Sequence, residues 1–324
     1  MTTQTITIIG MDRVGVSIAL ALRASSLDLT LIGHDIQYEL AQKARRELGA
    51  IDKAKWNLID AIQPADMIVL VIPAADQEET LRVIGSDLKE QAVVLDMSPL
   101  KQRGIEWARE YLEQGHYVGV QPVLAAPYLL DGRTGPEAAS ADLFQNSPFC
   151  LMPGPYVASA AVETAVNFGK LLGAVPSFFD PAEYDNLMQA VETLPGLLAA
   201  ALFHSVQSRA GWSDIRRFAG WPFALSTLPM QDGAETTHLA LNDKLATLTW
   251  LNQTVETLQQ IQQWVYEEDA EALTGFMKEL NEQRQTWLEK RAENKWHTEN
   301  KSEIPHIGLT EQMLGSLFGR RSGR

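Results

Sequence analysis

Residues 5–22 read TITIIGMDRVGVSIALAL. Ile6 to Ile9 are β-branched throughout and mostly apolar, the composition of a buried strand. Val14 to Leu22 are small or apolar with no glycine past Gly15, the composition of a packed helix. Strand, tight turn and helix form the opening of a Rossmann unit, with Gly10 and Gly15 in the first and third glycine positions of G-x-G-x-x-G. The middle position holds Asp12. In such a turn a diphosphate rests on backbone N–H groups at the helix N-terminus, where the macrodipole is positive. Asp12 adds a β-carbon and a negative charge at that point. Pointing outward, it leaves Arg13 to offset the repulsion; pointing inward, it caps the helix and competes with the phosphate. Gly10, Met11, Asp12, Arg13, Val14 and Gly15 are therefore the expected cofactor contacts.

The segment 27–35, LDLTLIGHD, reads as the second strand and ends on Asp35. That residue lies about 20 positions beyond Gly15, where a carboxylate hydrogen-bonds the adenine ribose. A carboxylate there repels a 2′-phosphate, so NAD is favoured over NADP. The alternative role for Asp35 is to cap the helix expected over 36–48. A third apolar strand, ADMIVLVIP at 65–73, ends on Ile72 and Pro73, which join the expected cofactor contacts.

Strand and helix signals alternate through the first 180 residues: helix at 75–88, strand at 92–98, helix at 102–115, strand at 117–123. Apolar strands alternating with helices predict a doubly wound parallel α/β sheet covered on both faces. Residues 127–148 read as a long loop, 149–154 and 174–180 as closing strands, and 157–173 as the helix between them. Beyond Asp180 the strand signals stop and helical periodicity takes over. The expected organisation is a Rossmann domain over 1–180, an all-helical domain over 181–296 and a polar tail over 297–324. The stretch 245–291 carries apolar residues at three- and four-residue spacing, expected to serve as core and subunit contact in a homodimer.

Composition bounds the function. With 27 Lys and Arg against 41 Asp and Glu, the net charge of −14 argues against nucleic-acid or anionic-membrane partners. No run reaches about 20 uninterrupted apolar residues, and no basic segment followed by an apolar one opens the chain. The single cysteine, Cys150, is expected to be a small core residue in a reducing, cytoplasmic setting. No metal-ligand spacing, P-loop or Ser-His-Asp arrangement is present.

Nearly the whole chain resembles the prephenate and arogenate dehydrogenase family. IIGMDRVGVSIA at 8–19 stands for its glycine turn, DMSPLK at 96–101 for D-x-G-S-V-K, and GVQPVLA at 119–125 for G-x-H-P-x-A. DPAEYDNLMQAVETLPGLLAAAL at 180–202 stands for HD…SHLPH, and PFALSTL at 222–228 for G-F-x-D-x-T-R. The resemblance implies a Rossmann domain joined to a helical dimerisation domain, a site in the cleft between them, NAD as cofactor and a small-molecule substrate. The family's functional letters are changed. Gln121 stands at the catalytic histidine and Pro99 at its partner serine, with Ser98 one position early. Tyr184, Thr193 and Gly196 stand at the other histidines, and Leu228 at the arginine that holds a substrate carboxylate. Gln121 can hydrogen-bond a hydroxyl but takes up no proton. On the substrate side the expected residues are Thr193, Thr227, Arg216 and Arg217, with Arg133 and Arg209 as further cations. Three readings follow: a prephenate-type dehydrogenase with a rebuilt site, an NAD-dependent dehydrogenase for another substrate, and a catalytically silent dimer that binds a nucleotide or partner.

Overall fold

The computed structural model describes residues 4–294. Among them eight strands form one sheet: β1 (Gln4–Ile9), β2 (Leu29–His34), β3 (Lys53–Lys55), β4 (Met67–Leu70), β5 (Val93–Asp96), β6 (His116–Pro122), β7 (Pro148–Pro153) and β8 (Val175–Phe178). Their order is β3-β2-β1-β4-β5-β6-β7-β8. Strands β1 to β6 run parallel, whereas β7 pairs antiparallel with β6 and β8 follows β7. Alternation places Ile6 and Ile8 in one core and Ile9 in the other, as it does Val69 against Ile68 and Leu70. Both faces are covered, so β4 is apolar on every residue and the buried parts of β1 and β5 nearly so, with buried Thr7 and Asp96 satisfied by hydrogen bonds.

Helices α1 (Arg13–Ala24), α2 (Tyr38–Arg46), α3 (Leu58–Ile62), α4 (Ala74–Ile84), α5 (Lys101–Tyr111) and α6 (Ser159–Leu171) complete this unit. The strand expected third is thus the fourth. Lys53–Lys55 is a three-residue edge strand whose charged ends carry no apolar signal, so pattern alone passes over it. The chain reverses its direction of strand addition between β1 and β4, and that switch point opens a crevice at their carboxyl ends.

The rest of the described chain is helical: α7 (Pro181–Met188), α8 (Leu194–Gln207), α9 (Trp212–Phe218), α10 (Trp221–Thr227), α11 (Gly233–Asn242), α12 (Lys244–Tyr266) and α13 (Ala270–Glu293). A π-helical turn, Gln189–Thr193, joins α7 to α8, giving one helix from Pro181 to Gln207. It is 27 residues long and its most apolar 18-residue stretch has a mean hydropathy of 1.2, enough by length and composition to cross a membrane, although polar residues interrupt it and no run of about 20 uninterrupted apolar residues is present. It carries Glu183, Asp185 and Glu192, and its second half packs on α10, α11 and α12. Helices α12 and α13 pack together, with Trp264 and Phe276 ring centroids 5.2 Å apart. The stripe expected to be core is largely uncovered in the single chain: Leu245, Leu258, Val265 and Met277 are all exposed. The polar tail at 297–324 lies outside the described residues.

Candidate functional site

The glycine turn keeps the geometry of a dinucleotide cradle at its two glycines. Gly10 sits at φ +96°, and a β-carbon on it would fall 2.0 Å from the Val71 carbonyl oxygen. One on Gly15 would fall 1.9 Å from the carbonyl oxygen of Gly10. Neither position tolerates a side chain. Asp12 differs: its φ of −83° and ψ of −166° are extended backbone open to any residue, and its side chain makes no capping hydrogen bond. Its carboxylate is exposed, neither closing the helix nor pairing with its neighbour.

Arg13 does not neutralise it. The guanidinium is buried and donates to both carboxylate oxygens of Asp131, at 2.9 and 2.8 Å, and to the Arg133 carbonyl at 2.6 Å. Tyr128 lies below it, ring centroid 5.6 Å away. Arg133 pairs with the same carboxylate, Glu137 of the loop meets Lys43, and the Ser140 N–H donates to Ser17 Oγ at 3.0 Å. These bonds strap the 126–140 loop across the entry to α1. The hydrogen bonds from Arg13, then Arg133, hold the Asp131 carboxyl down at about 2.

Asp35 does not cap the next helix as one sequence alternative expected: α2 begins at Tyr38 with Gln37 as its N-cap and no side-chain cap bond. Asp35 Oδ2 accepts from the Met11 N–H at 2.7 Å and its Oδ1 from the Gln37 N–H at 2.8 Å. It braces the glycine turn and bends the chain locally at Gln37 while keeping lone pairs for a diol. Val14 follows in the first turn of α1, and Ile72 and Pro73 follow β4, the first half-buried and the second exposed.

Two carboxylates of the helical domain cap helices of the sheet domain. Asp185 accepts from the Lys101 and Gln102 N–H groups, both at 2.9 Å, and Glu235 from the Ala74 N–H at 2.9 Å. Both sit on positive helix ends, yet burial raises the pKa of each. Beside the first cap, Lys101 is fully buried, its Nζ donating to the carbonyls of Asp96, Ser98 and Val120 at 3.0, 2.6 and 2.7 Å. Burial pulls its pKa down to about 8, against the pull of Asp96 and Asp185. Asp96 is buried too, accepting from Gln77, Tyr117 and the Ser98 N–H.

This scaffold holds β6 against the helical domain. Gln121 stands directly opposite Cys150 in the β6–β7 pairing, and Cys150 packs with Met152 and Tyr184. The Gln121 carboxamide makes only a 3.4 Å bond to its neighbour's carbonyl, so its oxygen is open to a ligand. Ser98 Oγ and Thr193 Oγ1 are buried and have no hydrogen-bond partner. Orphaned buried hydroxyls are uncommon and call for a ligand or water. Thr193 closes the π turn, a feature frequent at functional sites, and Glu192 beside it has its pKa raised by burial alone. Cys150 is a free, buried thiol that burial pushes up to about 11.

The other expected substrate residues fare differently. Thr227 spends its hydroxyl on the Phe223 and Ala224 carbonyls of its own helix, at 2.8 and 3.3 Å, so it offers a substrate no free donor. Arg216, Arg217 and Arg209 are exposed. Leu228 lies against the 126–140 loop, 3.8 Å from where a β-carbon on Gly132 would be, and supplies only apolar surface. Sequence reasoning passed over Asp185, Glu235 and Arg291, since a cap formed across a domain boundary leaves no local pattern. Lys101 was visible in DMSPLK, but its burial was not.

Fold and cleft together define a Rossmann-type protein with a helical second domain closing over the carboxyl ends of the strands. Residues 18–177 match the prephenate dehydrogenase nucleotide-binding domain, and residues 180–279 the prephenate dehydrogenase dimerization domain. The chain belongs to the prephenate dehydrogenase family. It is 26% identical over 288 residues to the prephenate dehydrogenase of Bacillus subtilis, covering 87% of this chain and 75% of that protein. Over 282 residues it is 22% identical to the cyclohexadienyl dehydrogenase of Zymomonas mobilis, covering 86% and 94%. The structure of Aquifex aeolicus prephenate dehydrogenase with hydroxyphenyl propionate and NAD+ superposes with a TM-score of 0.76 at 22% identity, covering 88% of this chain and 99% of that one. Synechocystis arogenate dehydrogenase gives 0.68, also at 22%, over 88% and 100%. At these identities the structural likeness speaks for the fold.

Proposed function

We propose that this protein is an NAD-dependent dehydrogenase of the prephenate type, carrying out the oxidative decarboxylation of prephenate or arogenate on the way to tyrosine. The observation that carries the reading is the pair of unpartnered buried hydroxyls, Ser98 Oγ just past β5 in the sheet domain and Thr193 Oγ1 in the π turn of the helical domain, together with the open Gln121 carboxamide on β6, the strand next to β5. Polar atoms paid for by burial and left unbonded suit a polar small molecule.

The residues present fit the dinucleotide. Gly10 and Gly15 leave room for close backbone approach, the N-terminus of α1 supplies N–H donors, and Asp35 stands at the end of β2 as a diol acceptor that disfavours a 2′-phosphate. NAD supplies the hydride acceptor. Gln121 accepts a hydrogen bond from the ring hydroxyl and orients it but takes no proton. Losing an acid–base group at that position costs about 10²–10⁴ in rate, so turnover is expected to be slow. Ser98 and Thr193 hydrogen-bond the substrate's remaining oxygens. The apolar stripe on α12 and α13 is the contact with a second copy of the chain in a soluble homodimer.

A second reading, a silent dinucleotide-binding dimer, is favoured by Asp12 at the diphosphate position and by Arg13 being committed to Asp131. NADH formation followed by absorbance, with prephenate and arogenate each supplied beside NAD+, decides between them. Slow turnover of either supports the first reading. Tight NADH binding without turnover of either leaves the silent dimer.

A further inference from the structure

Prephenate and its product carry carboxylates, and the cleft must supply a cation to hold one. Leu228, at the family's arginine position, supplies none. Arg13 and Arg133 are spent on Asp131, Lys101 on three backbone carbonyls, and Arg209, Arg216 and Arg217 are exposed. Among the described residues, one further cation reaches the sheet side of the cleft without an ion-pair partner. Arg291, in the last turn of α13, reaches back to β6 and donates from Nη2 to the Leu124 carbonyl at 2.9 Å. Its Nε is buried with no hydrogen-bond partner. Among the described residues no carboxylate forms an ion pair with it, and its charge is felt at the Cys150 thiol. Cys150 faces Gln121 across the β6–β7 pair, and Leu124 follows Gln121 by three residues, so the guanidinium reaches the chain just past the strand that carries the residue in place of the catalytic histidine.

We propose that Arg291 is the substrate-carboxylate anchor of this protein, a guanidinium carried on the last helix that does the work of the arginine missing at Leu228. The inference rests on the prephenate-type reading and deepens it. A partly buried guanidinium without a counter-ion, with one donor unsatisfied, is unfavourable in the empty cleft. A carboxylate accepting from Nε and a terminal nitrogen restores both the bond and the charge balance in the planar fork geometry that arginine presents. A para-substituted phenol whose carboxylate sits on Arg291 places its hydroxyl end along β6 toward Gln121.

Calorimetry on the NADH-loaded protein tests this with 4-hydroxyphenylpropionate and the uncharged 4-propylphenol. The parent is expected to prefer the carboxylate by roughly 10–100-fold, the worth of a charge-assisted bond. Arg291→Gln should remove that preference while leaving the affinities for 4-propylphenol and NADH unchanged. Should Arg291→Gln also lose 4-propylphenol, Arg291→Lys gives the answer: it keeps the charge but not the fork, and its preference must fall below the parent's. Full carboxylate preference in Arg291→Gln or Arg291→Lys overturns the proposal and leaves the prephenate-type reading intact. No preference in the parent overturns it as well. A parent that prefers the carboxylate but reduces no NAD+ with prephenate or arogenate keeps Arg291 as the anchor and sinks the prephenate-type reading instead.

Discussion

Arg13 and Asp131, 118 residues apart in the chain, form a two-pronged ion pair of 2.9 and 2.8 Å that ties a long loop to the helix expected to receive a diphosphate. The one cation beside Asp12 therefore faces the loop. The Asp131 carboxyl, held at about 2 by Arg13, lies below its usual 3.8, so its contribution to closing the loop is complete above about pH 4 and is lost only as pH falls through 2. Asp131→Asn should free the guanidinium and tighten NADH binding by about fivefold or more, as releasing a cation from a largely buried pair would. Limited proteolysis should cut the variant within 126–140, and the parent should resist equally from pH 5 to 9. Resistance in the variant equal to that of the parent would show that the strap does not depend on this pair.

Asp12 needs no special backbone and caps nothing, so replacing it disturbs only charge and space. Two charges a few ångströms apart at a partly exposed site interact by roughly 1–4 kcal/mol. Asp12→Gly should tighten NADH binding by about tenfold or more in a calorimetric titration. An unchanged affinity would mean that the carboxylate points clear of the phosphates. Binding absent in both proteins would remove the dehydrogenase reading.

Lys101 bonds three carbonyls from a fully buried position. Lys101→Met leaves those acceptors unpaired and should cost about 3–5 kcal/mol in urea unfolding at pH 7. Its folded pKa of about 8 lies below the unfolded 10.5, so the penalty of burying the charge is fully present below pH 8 and is relieved as pH rises toward 10.5. The stability gap between parent and variant should therefore widen by about 2–3 kcal/mol from pH 7 to pH 10. A gap that narrows over that range would contradict the lowered pKa.

Leu248, Val255, Leu258 and Val265 are exposed on α12 at three- and seven-residue spacing, an apolar row that a monomer would leave in water. Light scattering at micromolar concentration should give twice the mass of the chain, and Leu258→Glu should shift the protein toward monomer. A monomeric parent would count against the dimer.

The alternating sheet, the two glycines and the change to helix after Asp180 were legible in the sequence, because periodicity and glycine sterics are local. So were Gln121 and Leu228 as departures from the family's letters. The short β3 was not, since its residues carry no apolar pattern. Nor was the antiparallel direction of β7, which depends on which neighbour its edge meets.

What the sequence by itself determined is the sheet, its two covered faces and the cradle at Gly10 and Gly15, all consequences of steric and hydrophobic preferences that each segment carries alone. Only the tertiary structure decided where the charges go. Arg13 turned from Asp12 to Asp131, Asp185 and Glu235 went to helices of the other domain, and Arg291 came back to β6. The physical reason is that an ion pair or a helix cap depends on distances of about 3 Å between atoms, and no spacing along the chain encodes which distant groups folding will bring that close.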